Sequence, residues 1–258
     1  MALQAQAGKL FSERVLVLVK AQPHPGTKSD ETVCCAGVTA SGEWRRQYPI
    51  HFRRTDAQFA RWDWIKYNCM MPKGDPRPES RRVQEDTIEV DGRMSKKDQA
   101  RFLDRIAVES TEAAAAAGRT LALIRPTNSR FSWTRKSDAQ VESERLANES
   151  AARQKTFFDH DIVALDPCPY EFRFKYDTKD GKSHDSKCGD WETSAMFFNL
   201  QHGLGESGAL QRMNTVFNDE YPRNGMMFAL GTHSRFPGSW LLVGVIRADK
   251  VEQAELAL

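Results

Sequence analysis

The chain has 258 residues, 40% of them hydrophobic and 28% charged, with a formal net charge of +2. That length can bury a substantial core in one large or two small domains, and so small a charge excludes a polycation, so any nucleic-acid site must be a local patch. The longest apolar runs, Val15–Val19 and Leu241–Ile246, fall far short of the roughly 20 residues of a membrane span, so no membrane partner is expected.

In chain order, Val15–Val19 reads as a buried strand, Thr32–Val38 as a second, and Trp44–Phe52 as a third after the Ser41-Gly42 turn, which together resemble a β-meander. Asp56–Trp62 suits a short helix and Trp64–Met71 another strand. The prolines of 72–78 forbid both helix and central strand, so this stretch is an irregular loop. Val83–Val90 is a strand ending at Asp91-Gly92. A helix starts with Ser95 as its cap and runs through the alanines of 113–117 to a stop at Gly118. Leu121–Ile124 is a strand, and 126–156 is polar with helix-compatible composition over Asp138–Arg153, which makes it the expected linker or surface helix. The alternating Tyr170–Tyr176 is the clearest strand in the second half, followed by a hairpin turn at Asp180-Gly181. Helices from Asp190 to near Gly203 and from Glu206 to Phe217 precede two final strands, Met226–Gly231 and Trp240–Ile246. The expected fold is α+β: an N-terminal β-rich, nucleic-acid-binding half over 13–125, the linker 126–156, and a C-terminal mixed αβ half over 157–250 packed against the first.

Four segments could carry chemistry. Between Trp44 and Lys66, aromatic rings interleave with arginines, Trp44, Arg45, Arg46, Tyr48, Arg53 and Arg54 among them. Guanidiniums neutralise phosphates and rings stack on unpaired bases, but an apolar core face backed by a solvated arginine face gives the same pattern. Asp75–Arg82 holds Arg77, Arg81 and Arg82 near stiff prolines, either to clamp a nucleic-acid backbone or to pair with Asp75 and Glu79. Asp190-Trp191-Glu192 starts a helix: Asp190 suits the cap, and either carboxylate could serve as a catalytic group supporting cleavage of a glycosidic bond. The connection 231–238 carries His233, Arg235 and Phe236, a possible wedge for a base stack or an inward-folded loop ring.

Cys168, His184 and Cys188 offer three zinc ligands at unpromising spacing, without a Cys-x-x-Cys pair, so no metal is assigned. Nucleotide-binding and hydrolase motifs are missing, so no cofactor is expected. Asp166 with Glu171-Phe172-Arg173 imitates a restriction-type nuclease poorly, with arginine where lysine belongs. With five cysteines at least one stays unpaired, and no secretory leader is recognised, so a cytoplasmic protein with free thiols is expected.

The stretches 31–37, 44–53, 75–80, 190–192 and the Gly231-Thr232 loop, taken together, resemble a prokaryotic family without a settled activity. Its first half is similar to the OB-like barrels of anti-phage conflict systems. The resemblance implies a role on foreign or modified DNA. By elimination, the expected function is a DNA glycosylase that excises a modified base after base flipping. The alternatives are a non-catalytic module recognising modified or single-stranded nucleic acid, and a metal-dependent nuclease. Residues 180–188 depart from the family pattern, which weakens the zinc idea further.

Overall fold

The computed structural model describes residues 9–21, 32–51, 59–155, 165–233 and 236–249. Five strands close the N-terminal barrel: β1 (Phe11–Lys20), β2 (Thr32–Val38), β3 (Trp44–His51), β4 (Asp63–Met70) and β5 (Ser80–Arg93). Their order is β1-β2-β3-β5-β4, with β1 closing on β4. The β3–β5 pairing is parallel and the others antiparallel, giving the OB-like barrel expected of this half.

The uninterrupted apolar run of β1 has a geometric cause. Val15 and Val17 point into the barrel beside Ile65, Tyr67, Cys69 and Val83, while Leu16 and Leu18 point outward into a second core. A strand buried on both faces loses the polar half of its alternation.

The outer core joins the two halves. Leu16, Val38 and Trp44 of the barrel meet Leu103 and Ile106 of α1 (Lys96–Ile106). On the other side stand Leu121 and Leu123 of β6 (Leu121–Ile124), Met227 of β10 (Met226–His233) and Ile246 of β11 (Phe236–Arg247). These last strands form a sheet ordered β11-β10-β6. A second sheet orders β7 (Thr127–Arg135), β8 (Tyr170–Asp177) and β9 (Ser183–Lys187). A third core, rich in phenylalanine, lies between these sheets and α4 (Trp191–Thr215), with Phe131, Phe174, Phe197, Phe217 and Phe228 in contact.

Several local expectations change. The segment 126–156 carries the expected helix as α3 (Asp138–Lys155), but its first part is the strand β7. Only Phe131 of β7 is buried, so a strand edge with so little apolar content looks like surface until its partner β8 is known. The strand 121–124 pairs with β10 and so belongs to the second half. The long helix from Ser95 breaks, because Val108 bridges to Ile124 and Ser110 caps a separate α2 (Thr111–Ala116) by accepting from the Ala113 N–H. The strand β9 is entirely polar and carries no sequence signal beyond the preceding turn. The helix over 56–62 falls partly outside the described residues, and Trp62 adopts φ 77, which is not helical. The helix break near Gly203 is seen at Gly205, with φ 69 and ψ 173. A π-helical turn, Val216–Glu220, and α5 (Tyr221–Asn224) lead into β10. Among the described residues no helix is long and apolar enough to cross a membrane.

Candidate nucleic-acid interface

Among the described residues, most of the arginines singled out in the sequence are engaged by carboxylates or carbonyls of the fold. Glu13 on β1 accepts from Arg45 Nε at 2.7 Å through one oxygen and from Arg81 Nε at 3.0 Å through the other. Arg45 also donates to Glu43 at 2.8 Å, and Arg81 to the Pro78 and Ser80 carbonyls. Arg46 is buried and donates to the Thr120 carbonyl at 3.2 Å and the Thr232 carbonyl at 3.5 Å. Arg77 reaches the same Thr232 carbonyl at 2.9 Å, and its Nε and Nη2 donate to the two Asp75 oxygens at 2.8 and 2.6 Å.

The proline-rich loop therefore pairs its arginine with its own aspartate and ties the barrel to β10. Burial acts to raise the Asp75 carboxyl, but hydrogen bonds from Arg77 and Ser80 outweigh it and hold the group at about 2. Trp44 is 4% exposed and belongs to the core between the halves, so it cannot stack on a base. Arg53, Arg54 and Arg235 lie outside the described residues.

Asp190 is 1% exposed. It receives Arg61 Nη2 at 2.9 Å, the Val245 N–H at 3.1 Å and the Thr193 hydroxyl at 3.3 Å, and makes no side-chain cap bond to its helix. Arg61 also donates to the Val245 carbonyl at 2.7 Å. Burial pushes the Asp190 carboxyl up, while Arg61 and the Val245 N–H oppose that push. Asp190 occupies the N-cap position of α4 without a side-chain cap bond, and its carboxylate anchors the barrel to β11 from the interior. Glu192 is exposed in the first turn of α4. Trp191 lines a separate cleft in the second half.

What does gather is smaller. Arg46 and Tyr48 are two residues apart and share the outer face of β3. Arg46 bonds the Thr232 carbonyl of β10, which ties this stretch of β3 to the β10–β11 hairpin. Tyr48 is 45% exposed and lies in register with Arg82 of β5, which is exposed. Beyond Thr232, the His233 ring is 5.7 Å from that of Phe236, and Phe236 is 63% exposed. The barrel thus offers one exposed ring, Tyr48, in register with the exposed Arg82, and the β10–β11 hairpin offers another, Phe236. Of the three arginines of the 75–82 segment, Arg82 alone is exposed, because β5 starts at Ser80 and turns Arg81 inward and Arg82 outward.

This cluster and Asp190 do not share a pocket. Asp190 binds β11 at Val245, roughly 30 Å along the strand from Phe236 at ~3.3 Å per residue. Among the described residues, no three His, Cys, Asp or Glu side chains come together to hold a metal ion, so Cys168, His184 and Cys188 do not form such a group.

A family described as Domain of unknown function (DUF8758) matches residues 11–108, and one described as Domain of unknown function (DUF8757) matches residues 103–258. The two matches meet where α1 ends, between the barrel and the β6 strand that joins the second half. None of the curated proteins matches the chain.

Proposed function

We propose that this chain, which belongs to the DUF8757 family, is a single-stranded nucleic-acid-binding module whose site is shared between its two halves. The observations that carry this reading are the exposed Tyr48 in register with the exposed Arg82 on an OB-like barrel, and the exposed Phe236 on the hairpin that Arg46 ties to that barrel through the Thr232 carbonyl. Exposed rings on a rigid scaffold offer stacking faces to unpaired bases, which a duplex keeps stacked among themselves. Arg82 supplies a phosphate contact. Binding is favoured over base excision because, of the two carboxylates considered for catalysis, Asp190 is sealed against Arg61 and Glu192 shares its helix start, roughly 30 Å along β11 from Phe236 at ~3.3 Å per residue. Single-stranded DNA, including modified phage DNA, is the first partner to test.

Fluorescence anisotropy with labelled single-stranded oligonucleotides tests this. Tyr48→Ala and Phe236→Ala should each weaken binding by about 1–3 kcal/mol, the worth of one stacked base. Affinity unchanged in both variants would overturn the site. Abasic sites appearing in modified DNA after incubation would replace binding with excision as the activity.

A further inference from the structure

We infer that the second half holds an independent site for a neutral, planar heterocycle with a donor-rich edge, the chemistry of a free nucleobase or nucleoside. A cleft of about 220 Å³ lies between α3, the 165–168 connection, β8 and the first turns of α4. It does not belong to the Tyr48–Phe236 cluster, none of whose residues line it. Pockets for drug-sized ligands begin near 300 Å³, so this one suits a single small ring system.

Its walls set the shape of the ligand. Trp191, Tyr170 and Phe198 contribute rings, and all three are partly buried. Such faces favour a flat molecule that stacks against or edges onto them.

Its charges set the polarity. Lys136 donates to both oxygens of Glu144, at 2.9 and 2.7 Å, and Lys187 pairs with Glu171 at 2.8 Å. Each ammonium in the lining is thus already neutralised. An anionic ligand would have to break one of these pairs and leave a partly desolvated charge behind. A neutral ligand leaves both intact.

Its remaining polar groups set the edge. Asn148 uses its N–H to donate to the Leu165 carbonyl at 2.8 Å, which turns its amide oxygen into an available acceptor. Asp166 stands exposed in the lining with further acceptor oxygens. Acceptors on the protein call for ring N–H and amino donors on the ligand, as purines and pyrimidines carry. The thiol of Cys168 takes no part as a nucleophile, because burial pushes it up to about 11.

Isothermal titration of the full chain with adenine, cytosine, adenosine, adenosine monophosphate and indole tests this site, with thermal melting alongside. The expected result is saturable binding of a base or nucleoside that raises the melting temperature. Adenosine monophosphate should bind more weakly than adenosine, and indole, which lacks the donor edge, should bind more weakly than either base. Asp166→Ala, at an exposed position, and Trp191→Ala should each weaken binding by about tenfold. Absence of saturable binding by every base and nucleoside overturns the proposal. So do a monophosphate or indole that binds as tightly as adenosine, and affinity unchanged in both variants.

Discussion

Asp190 shows how far a side chain's role depends on its surroundings. At a helix entrance it has the composition of a cap or a catalytic acid, yet it is an interior ion-pair partner for Arg61. Removing one member of such a pair leaves the other charge buried, whereas replacing both with apolar groups of similar volume is often neutral. Asp190→Ala is therefore expected to lower stability by about 3–5 kcal/mol, and the double variant Arg61→Met/Asp190→Leu to recover most of that. Urea denaturation of the three proteins checks it; a double variant no better than the single one would mean that the charges themselves hold the halves together.

Asp75 gives the acid limb of stability. Its folded value of about 2 lies below the usual carboxylate value of about 3.9. The stability it contributes is fully present above the unfolded value and is lost as pH falls through the folded one. The stability difference between the natural protein and Asp75→Asn should be constant above about pH 5 and shrink toward zero near pH 2, read from urea midpoints across that range.

At the scale of elements, the junction between barrel and sheet is set by small residues. A Cβ on Gly244 of β11 would lie 2.9 Å from Val19 Cγ2 and 3.2 Å from Ala229 Cβ. The two β-layers approach this closely only because that side chain is missing. Gly244→Val should force them apart and cost about 1–3 kcal/mol, measured by denaturant midpoint. An unchanged midpoint would show that the layers can slide without loss. The same packing explains why β1 and β10 lack alternation, as both are covered on two sides.

At the scale of the whole molecule, the arginines decide the character of binding. Arg45, Arg46, Arg61, Arg77 and Arg81 are engaged with carboxylates or carbonyls that hold the two halves and the loop in place. A single strand bound at the Tyr48–Phe236 end meets Arg82 and few other cations among the described residues. The logarithm of its affinity should fall with the logarithm of salt concentration at a slope near −1, since each phosphate contact on a single strand contributes about −0.7. A slope of about −4 or steeper in a salt titration would mean that the arginines leave their partners to bind phosphates.

Sequence periodicity determined the α+β class, the strands β1 to β3, β8, β10 and β11, and a helix break near Gly203, while the OB-like first half was implied by the family resemblance. These follow from local patterns: runs of β-branched residues, alternation over Tyr170–Tyr176, and glycine at a positive φ. The polar strands β7 and β9 and the split of the long helix were not legible, because hydrogen bonds to distant partners create them. The candidate site divides the same way. Arginine and aromatic side chains could be named from composition, but a guanidinium reads identically whether it faces a phosphate or Glu13. Only the tertiary structure brought acceptors from β1, β10 and the 120 region to those arginines and left Tyr48, Arg82 and Phe236 facing water. The physical reason is that pairing and burial depend on which groups share a volume, and the folding of distant segments decides that.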